Sequence, residues 1–355
     1  MSGAALGGEH VRAGRAGGVG RLTLNRPAAL NALTLDMIRD LAAALDLWEG
    51  DPGVHLVLIE GAGSRAFCAG GDIRAVYDSA AEGSDRAHIF WAEEYRLDAR
   101  IAQFSKPVVV FMTGIVMGGG VGVSAHARHR VVTETTRLAM PEVGIGLIPD
   151  VGGTWLLSRA PGETGTYLAL TGTQIGAADI IALGMADSYV AGAKLGALAQ
   201  ALEQDSPRDH QGTETAIGQC AETAGEPSLG PHRALIDRAF AHDTVEAILR
   251  ALDQDGSAFA RRTAEQIATK SPTSLKLALR ALREARSLAS LQDCLRLEYR
   301  LMTRILPRHD LREGIRAAVI DKDRNPKWQP ASLAEIRPEA LDPYFASLGP
   351  EDLQF

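Results

Sequence analysis

Cysteine is scarce. Only Cys68, Cys220 and Cys294 occur in 355 residues, an odd number with no CxxC spacing. That excludes a disulfide scaffold and a structural zinc site, and predicts a reducing compartment. Long apolar runs are also missing: none approaches the ~18 residues that span a bilayer, so no membrane segment is expected. Nor is there a basic excess. Lys plus Arg number 37 against 44 Asp plus Glu, a formal charge of −7, whereas a nucleic-acid surface needs clustered cations. The stretch Met1–Gly20 has a few arginines but no continuous hydrophobic segment, which excludes a secretory signal. Strand-like sequence starts so early that little is left for a transit peptide, and a cytoplasmic protein is expected.

Several chemical signatures are absent or incomplete. There is no P-loop lysine motif and no HExxH. Gly61-Ala62-Gly63-Ser64-Arg65-Ala66 fits a dinucleotide fingerprint, but the following Phe67-Cys68-Ala69-Gly70-Gly71 is poor helix sequence, so no nicotinamide cofactor is expected. Gly122-Val123-Ser124-Ala125-His126 nearly matches a nucleophile elbow. His126 replaces the glycine that permits the sharp turn, which argues against a serine hydrolase. His126 and His129 have no evident third ligand and read as structural or solvent-facing, with no metal implied.

What is present is an alternation of buried strands and helices. Arg21–Leu24 reads as a strand, and Thr34 as the N-cap of a helix carrying Met37, Leu41, Leu45 and Trp48. Val54–Ile59 and Val108–Met112 are continuous apolar strands of the kind buried on both faces. Between them runs a helical stretch from about Arg86 to Gln103, and Arg130–Thr133 is a further strand. This order predicts an α/β architecture. The later sequence is richer in Ala, Leu, Arg and Glu. Leu275, Leu279 and Leu282 form one helical stripe, and Leu291, Leu295, Tyr299 and Met302 another, both expected to be core contacts. The expected division is a core over residues 1–205 and a mainly helical subdomain over 206–355.

Three segments carry chemistry. Phe67–Ile73 and Met117–Gly122 are glycine-rich loops at equivalent places after buried strands, able to present bare N–H groups to a developing oxyanion. The third, Ala139–Gly153, has Glu142 and Asp150 as its only charges. A carboxylate held among apolar residues has its pKa raised towards the range useful for proton transfer. Asp150 has a structural explanation, as N-cap of the helix containing Trp155, Leu156 and Leu157; Glu142 has none comparable. Pattern leaves base and nucleophile open for both.

At these residues the chain resembles the crotonase (enoyl-CoA hydratase/isomerase) superfamily, and within it the 3-hydroxyisobutyryl-CoA hydrolase branch. The likeness runs through Leu24–Pro27, Leu30–Leu33, Phe67–Arg74, Met117–Ser124, Arg130–Glu134, Ala139–Gly153, Leu168–Gly172 and Ser271–Lys276. It also includes Asp321–Trp328, which points to the hydrolase branch.

The resemblance implies a spiral of ββα units with a helical C-terminal region. It implies an acyl-CoA substrate, with CoA part of the substrate and no separate cofactor. It places the thioester carbonyl between the N–H groups of Gly71 and Gly119, makes Arg26, Leu30 and Ala69 CoA contacts, and carries substrate roles onto Glu94, Gly119, Glu142 and Asp150. Hydratases use a second glutamate just after the glycine triplet, where this chain has Gly122, and usually carry glycine at the place of Asp150. The implied reaction is hydrolysis of a short 3-hydroxyacyl-CoA thioester. The alternatives are an isomerase or hydratase of the same superfamily, or a non-catalytic or RNA-binding member. Relatives are commonly oligomers, so self-association is a further expectation.

Overall fold

Runs of valine, leucine and isoleucine place most strands of the computed structural model, which describes residues 8–355. One sheet has six strands: β1 (Val11–Ala16), β2 (Val19–Leu24), β3 (Leu56–Gly61), β5 (Val108–Met112), β7 (His129–Val132) and β9 (Ser188–Tyr189), adjacent in that order. β1 and β2 form an antiparallel hairpin, and every later pairing is parallel. Parallel strands with both faces covered need apolar residues on both, and this is why β5 reads Val-Val-Val-Phe-Met, all buried. A second sheet holds three short strands in the order β4 (Ala66–Cys68), β6 (Ile115–Met117), β8 (Arg137–Ala139). Successive strands therefore alternate between sheets, β3 with β4, β5 with β6, β7 with β8. That alternation is the expected spiral of ββα turns.

The expected elements recur with small shifts. Thr34 caps the helix Leu35–Gly50, its side chain accepting from Met37 N at 3.2 Å. The helix Arg86–Gln103 and β5 occupy the predicted residues, while the strand read from Val54 begins at Leu56. Beyond Tyr189, every named element among the described residues is helical. The stretch Met1–Gly20 weighed for a leader begins in residues 1–7, outside the described range.

Contacts divide the chain into two compact units, each discontinuous in sequence. The first takes residues up to Gly71 with Glu93–Leu138 and Ile175–Ser228. Its core includes Val19, Leu56, Leu58, Val109, Phe111, Val131, Leu198 and Leu202. The second takes Asp72–Ala92, Ala139–Gln174 and Leu229–Phe355. It is built on the helices Pro272–Ala285 and Leu291–Ile305, with Leu275, Leu279 and Leu282 buried as the stripe requires. Among the described residues no helix is long and apolar enough to cross a membrane.

Leu58 is fully buried in β3. Leu58→Ala is expected to cost about 2–5 kcal/mol of stability, from lost transfer energy and the cavity left behind. Guanidinium denaturation checks this, with a lowered midpoint as the expected outcome.

Candidate active site

The two glycine-rich loops do not follow β3 and β5 directly, as the sequence suggests, but follow β4 and β6 of the small sheet. Those strands are parallel neighbours, with Ala66 opposite Ile115 and Cys68 opposite Val116, so the loops emerge at the same end. The convergence is tight. A methyl group on the α-carbon of Gly119 would lie 3.3 Å from Gly71 N and 3.2 Å from Leu33 Cδ1, and would run into Glu94 Oε1. A side chain at residue 119 would have to push the Glu94 carboxylate aside and crowd Gly71. Among the described residues neither the Gly71 nor the Gly119 amide donates to a protein acceptor. Glu94, on the helix Arg86–Gln103, is 2% exposed. Gly71, Gly119 and Glu94 therefore form one cluster in the first unit.

Arg26, Leu30 and Ala69 form a neighbouring patch of the same unit. Leu30 adopts φ 54°, and its carbonyl accepts from Ala69 N at 3.0 Å. Arg26 donates to the Ala32 carbonyl at 3.2 Å. The organiser here is Asn31, fully buried, whose amide donates to the carbonyls of Ala62 and Ala66 and whose Oδ1 accepts from Arg26 N at 2.9 Å. Burial pushes the Cys68 thiol up to about 12, so at neutral pH it is a packing group rather than a nucleophile.

The carboxylates Glu142 and Asp150 lie in the second unit, 5% and 6% exposed. Glu142 opens a short 3-10 turn, Glu142–Ile145, directly after β8. Backbone bonds hold that turn: Gly144 N to Pro141 O at 2.8 Å and Leu147 N to Glu142 O at 3.0 Å within the segment, and Ser271 N to Val143 O at 3.1 Å from distant chain. Glu142 Oε2 is buried and accepts no hydrogen bond among the described residues. Burial first, then the charges of Asp150 and Glu298, hold its pKa well above the usual carboxylate range. A carboxyl whose proton affinity is raised in this way is a candidate for acid–base chemistry.

Asp150 is not the helix cap suggested by its position. The helix Gly153–Arg159 begins three residues later with Gly152 as N-cap, and no side chain of the capping residue bonds to it. Its first amides instead meet Glu298, from the helix Leu291–Ile305. Gly152 N donates to Glu298 Oε2 at 2.7 Å; Thr154 N and Thr154 Oγ1 donate to Oε1 at 2.8 and 2.5 Å. The stripe Leu291, Leu295, Tyr299, Met302 is thus corrected in one place: Glu298 is fully buried and Tyr299 only partly. A glutamate three residues after Leu295 and four before Met302 is the sequence signal that identifies it.

The other motifs weighed in the sequence have these surroundings. β4, not a helix, follows Gly61–Ala66. Ser124 Oγ donates to Gly120 O at 2.6 Å within a short helix. His129 Nε2 pairs with His210 Nδ1 at 3.0 Å, and no group of three metal-ligating side chains occurs among the described residues.

Residues 19–345 match the family model described as enoyl-CoA hydratase/isomerase, and the chain belongs to that family. Curated relatives include the mitochondrial 3-hydroxyisobutyryl-CoA hydrolases of Homo sapiens (43% identical, covering 98% of this chain and 91% of the relative) and Rattus norvegicus (44%, 96% and 90%). Similar solved structures include a carnitinyl-CoA dehydratase from Mycobacterium thermoresistibile (TM-score 0.93, 47% identity, 98% of this chain and 99% of that one). Another is an enoyl-CoA hydratase from Rhodobacter sphaeroides (TM-score 0.90, 42%, 98% and 100%). These share the crotonase fold expected from the sequence.

One expectation is overturned. A cytoplasmic location is contradicted by the curated relatives, which are mitochondrial proteins. The expectation rested on strand-like sequence starting early enough to leave little for a transit peptide, and the location of the relatives overrides that argument.

The raised pKa of Glu298, about 8 against an ordinary 4.5, makes a stability prediction. Below the ordinary range folded and unfolded states both hold the proton. As pH rises towards about 8, the unfolded chain releases it first, so the stability it contributes is lost through that window. Denaturation of the native protein and Glu298→Gln, near pH 4.5 and near pH 8, is expected to show a steeper decline with pH in the native protein than in the variant, where the raised pKa of Glu142 still contributes.

Proposed function

We propose that this protein hydrolyses the thioester of a short 3-hydroxyacyl-CoA, with 3-hydroxyisobutyryl-CoA as the preferred substrate and valine catabolism as the setting. The observation that carries the reading is a pair of adjacent backbone amides together with a buried, hydrogen-bond-poor glutamate in a chain about 44% identical to named hydrolases of that thioester. The Gly71 and Gly119 N–H groups serve as the oxyanion hole. They are closely spaced, and their glycines let a carbonyl approach without a Cβ in the way. The fold holds both donors in place before reaction, so little reorganisation accompanies formation of the tetrahedral intermediate.

Glu142 supplies the other half of the chemistry. As general base it takes a proton from water while the water oxygen bonds to the thioester carbon; as nucleophile it bonds to that carbon itself, and water then opens the anhydride. Either way the carbon–sulfur bond breaks, the thiolate takes a proton, and the products are a hydroxy acid and free CoA. Asp150 accepts a hydrogen bond from the 3-hydroxyl of the acyl group. Glu94, adjoining Gly119, orients substrate or water. Arg26, Leu30 and Ala69 receive part of the CoA.

The naming of the structural neighbours as a dehydratase and a hydratase favours a second reading, addition or removal of water across a double bond. Such chemistry in this family uses a second glutamate after the glycine triplet. Gly122 stands there, buried within its helix and without a side chain to move a proton.

A substrate panel decides between these readings. Thiol release from 3-hydroxyisobutyryl-CoA, followed with a thiol reagent, is the expected outcome; double-bond movement or hydration without thiol release refutes hydrolysis. Glu142→Gln is expected to lower kcat by at least about a hundredfold, on the scale of general acid–base catalysis. The native kcat is expected to rise with pH on a limb above the usual carboxylate range, and that limb disappears in the variant. Gly119→Ala is expected to reduce kcat about 10²–10³-fold, the scale of losing an oxyanion donor, because its methyl displaces Glu94 and crowds Gly71. A circular-dichroism melt near native shows that its fold survives.

A further inference from the structure

Glu298 has no role in the chemistry above, yet it is the least expected residue of its helix. Leu291, Cys294, Leu295, Leu297, Leu301, Met302 and Ile305 make the buried face of Leu291–Ile305, and Glu298 lies among them fully buried. A carboxyl there loses its hydration, and no Lys or Arg pairs with it among the described residues. Its compensation is three donors from one turn: the Gly152 and Thr154 amides and the Thr154 hydroxyl.

That turn is conformationally costly. Val151 has φ 54°, a left-handed conformation that a β-branched side chain seldom adopts, and Gly152 follows at φ 76°. Gly153 N closes the turn onto the Asp150 carbonyl at 2.7 Å. Two consecutive left-handed residues therefore follow directly on Asp150. They persist because the amides on either side of Gly153 are tied to Glu298.

We propose that Glu298 is a positioning residue: it clamps the Gly152 and Thr154 amides so that the strained Val151 turn aims Asp150 at the substrate's 3-hydroxyl, and it thereby sets preference for 3-hydroxyacyl over unsubstituted acyl chains. The proposal rests on the role given to Asp150 above. Glu142, Asp150 and Glu298 are the ionisable groups whose charges act on one another here, and the Cys294 thiol faces Thr154 and Arg159. Replacing Glu298 by glutamine keeps the volume and one acceptor but turns an N–H₂ donor towards an amide that also donates.

The test measures binding, by calorimetry, of two non-hydrolysable carba(dethia)-CoA analogues, one carrying 3-hydroxyisobutyryl and one isobutyryl, to the full chain and its variants. The native protein is expected to prefer the hydroxy analogue. Asp150→Asn is expected to abolish the preference, and Glu298→Gln to reduce it about tenfold while leaving affinity for isobutyryl within about twofold. In the Asp150→Asn background Glu298→Gln is expected to change nothing further. An unchanged preference, an equal loss for both analogues, or additive losses in the double variant overturns the proposal. Thr154→Val, which removes only the hydroxyl donor, is expected to show the same pattern at about threefold, and it decides the matter if Glu298→Gln does not fold. A protein that binds with this pattern but releases no thiol refutes the hydrolase reading and leaves the positioning role standing.

Discussion

A carboxyl buried without a cation is the constraint on which the second unit is organised. The same chain shows the opposite solution elsewhere. Asp352, 8% exposed, receives two 2.7 Å bonds from Arg300 and is held down to about 2. Glu163 is bonded by Arg283 and Arg286. At Asp352 the guanidinium outweighs desolvation, and both acids are committed to structural ion pairs. Around Glu142 and Glu298 no such cation occurs among the described residues, desolvation wins, and both acids are pushed up. An acid whose proton affinity is raised by burial is a poor stabilising element.

The first unit solves a different problem, that of bringing two amides to one point. Parallel pairing of β4 with β6 starts their loops side by side. Close approach then depends on missing side chains rather than on attractive contacts. At Gly119 a methyl would strike Glu94, and at Gly120 it would strike the Cys68 carbonyl. The two amides are preorganised by packing, with the strands fixing direction and the bare α-carbons fixing distance.

Local features were legible in the sequence because their causes are local. Thr34 caps its own helix, Arg86–Gln103 ends before Lys106-Pro107, and Val108–Met112 carries its burial in its composition. The glycine-rich loops and the Glu142–Asp150 segment also announced themselves, since charges and glycines in an apolar stretch have few structural explanations. What escaped was what depends on distant chain. Glu298 reaches residues 144 and 146 positions away, and the apolar stripe around it drew attention to Tyr299 instead. Asn31 was quoted only as part of a motif, although it ties together three backbone groups up to 35 residues away. The strands β4, β6 and β8, three residues each, are too short for periodicity to reveal, yet they carry the functional loops.

The names attached to structures this similar, dehydratase and hydratase beside hydrolase, show how little the scaffold fixes the reaction. Binding a CoA thioester through its carbonyl oxygen is common ground, because stabilising negative charge on that oxygen assists enolate formation and tetrahedral addition alike. The reaction then divides on where protons can move. A double-bond reaction must deliver or remove one beside the carbon chain, and at Gly122 this chain has only a buried helix turn. Hydrolysis needs one proton-exchanging carboxyl for water and a means of holding the acyl chain, the parts proposed for Glu142 and Asp150, which lie on one segment. The costly left-handed backbone after Asp150 is the most informative detail. A turn needed only for chain reversal would take glycine at position 151, whereas this one keeps valine, tied in place by a buried glutamate from another helix.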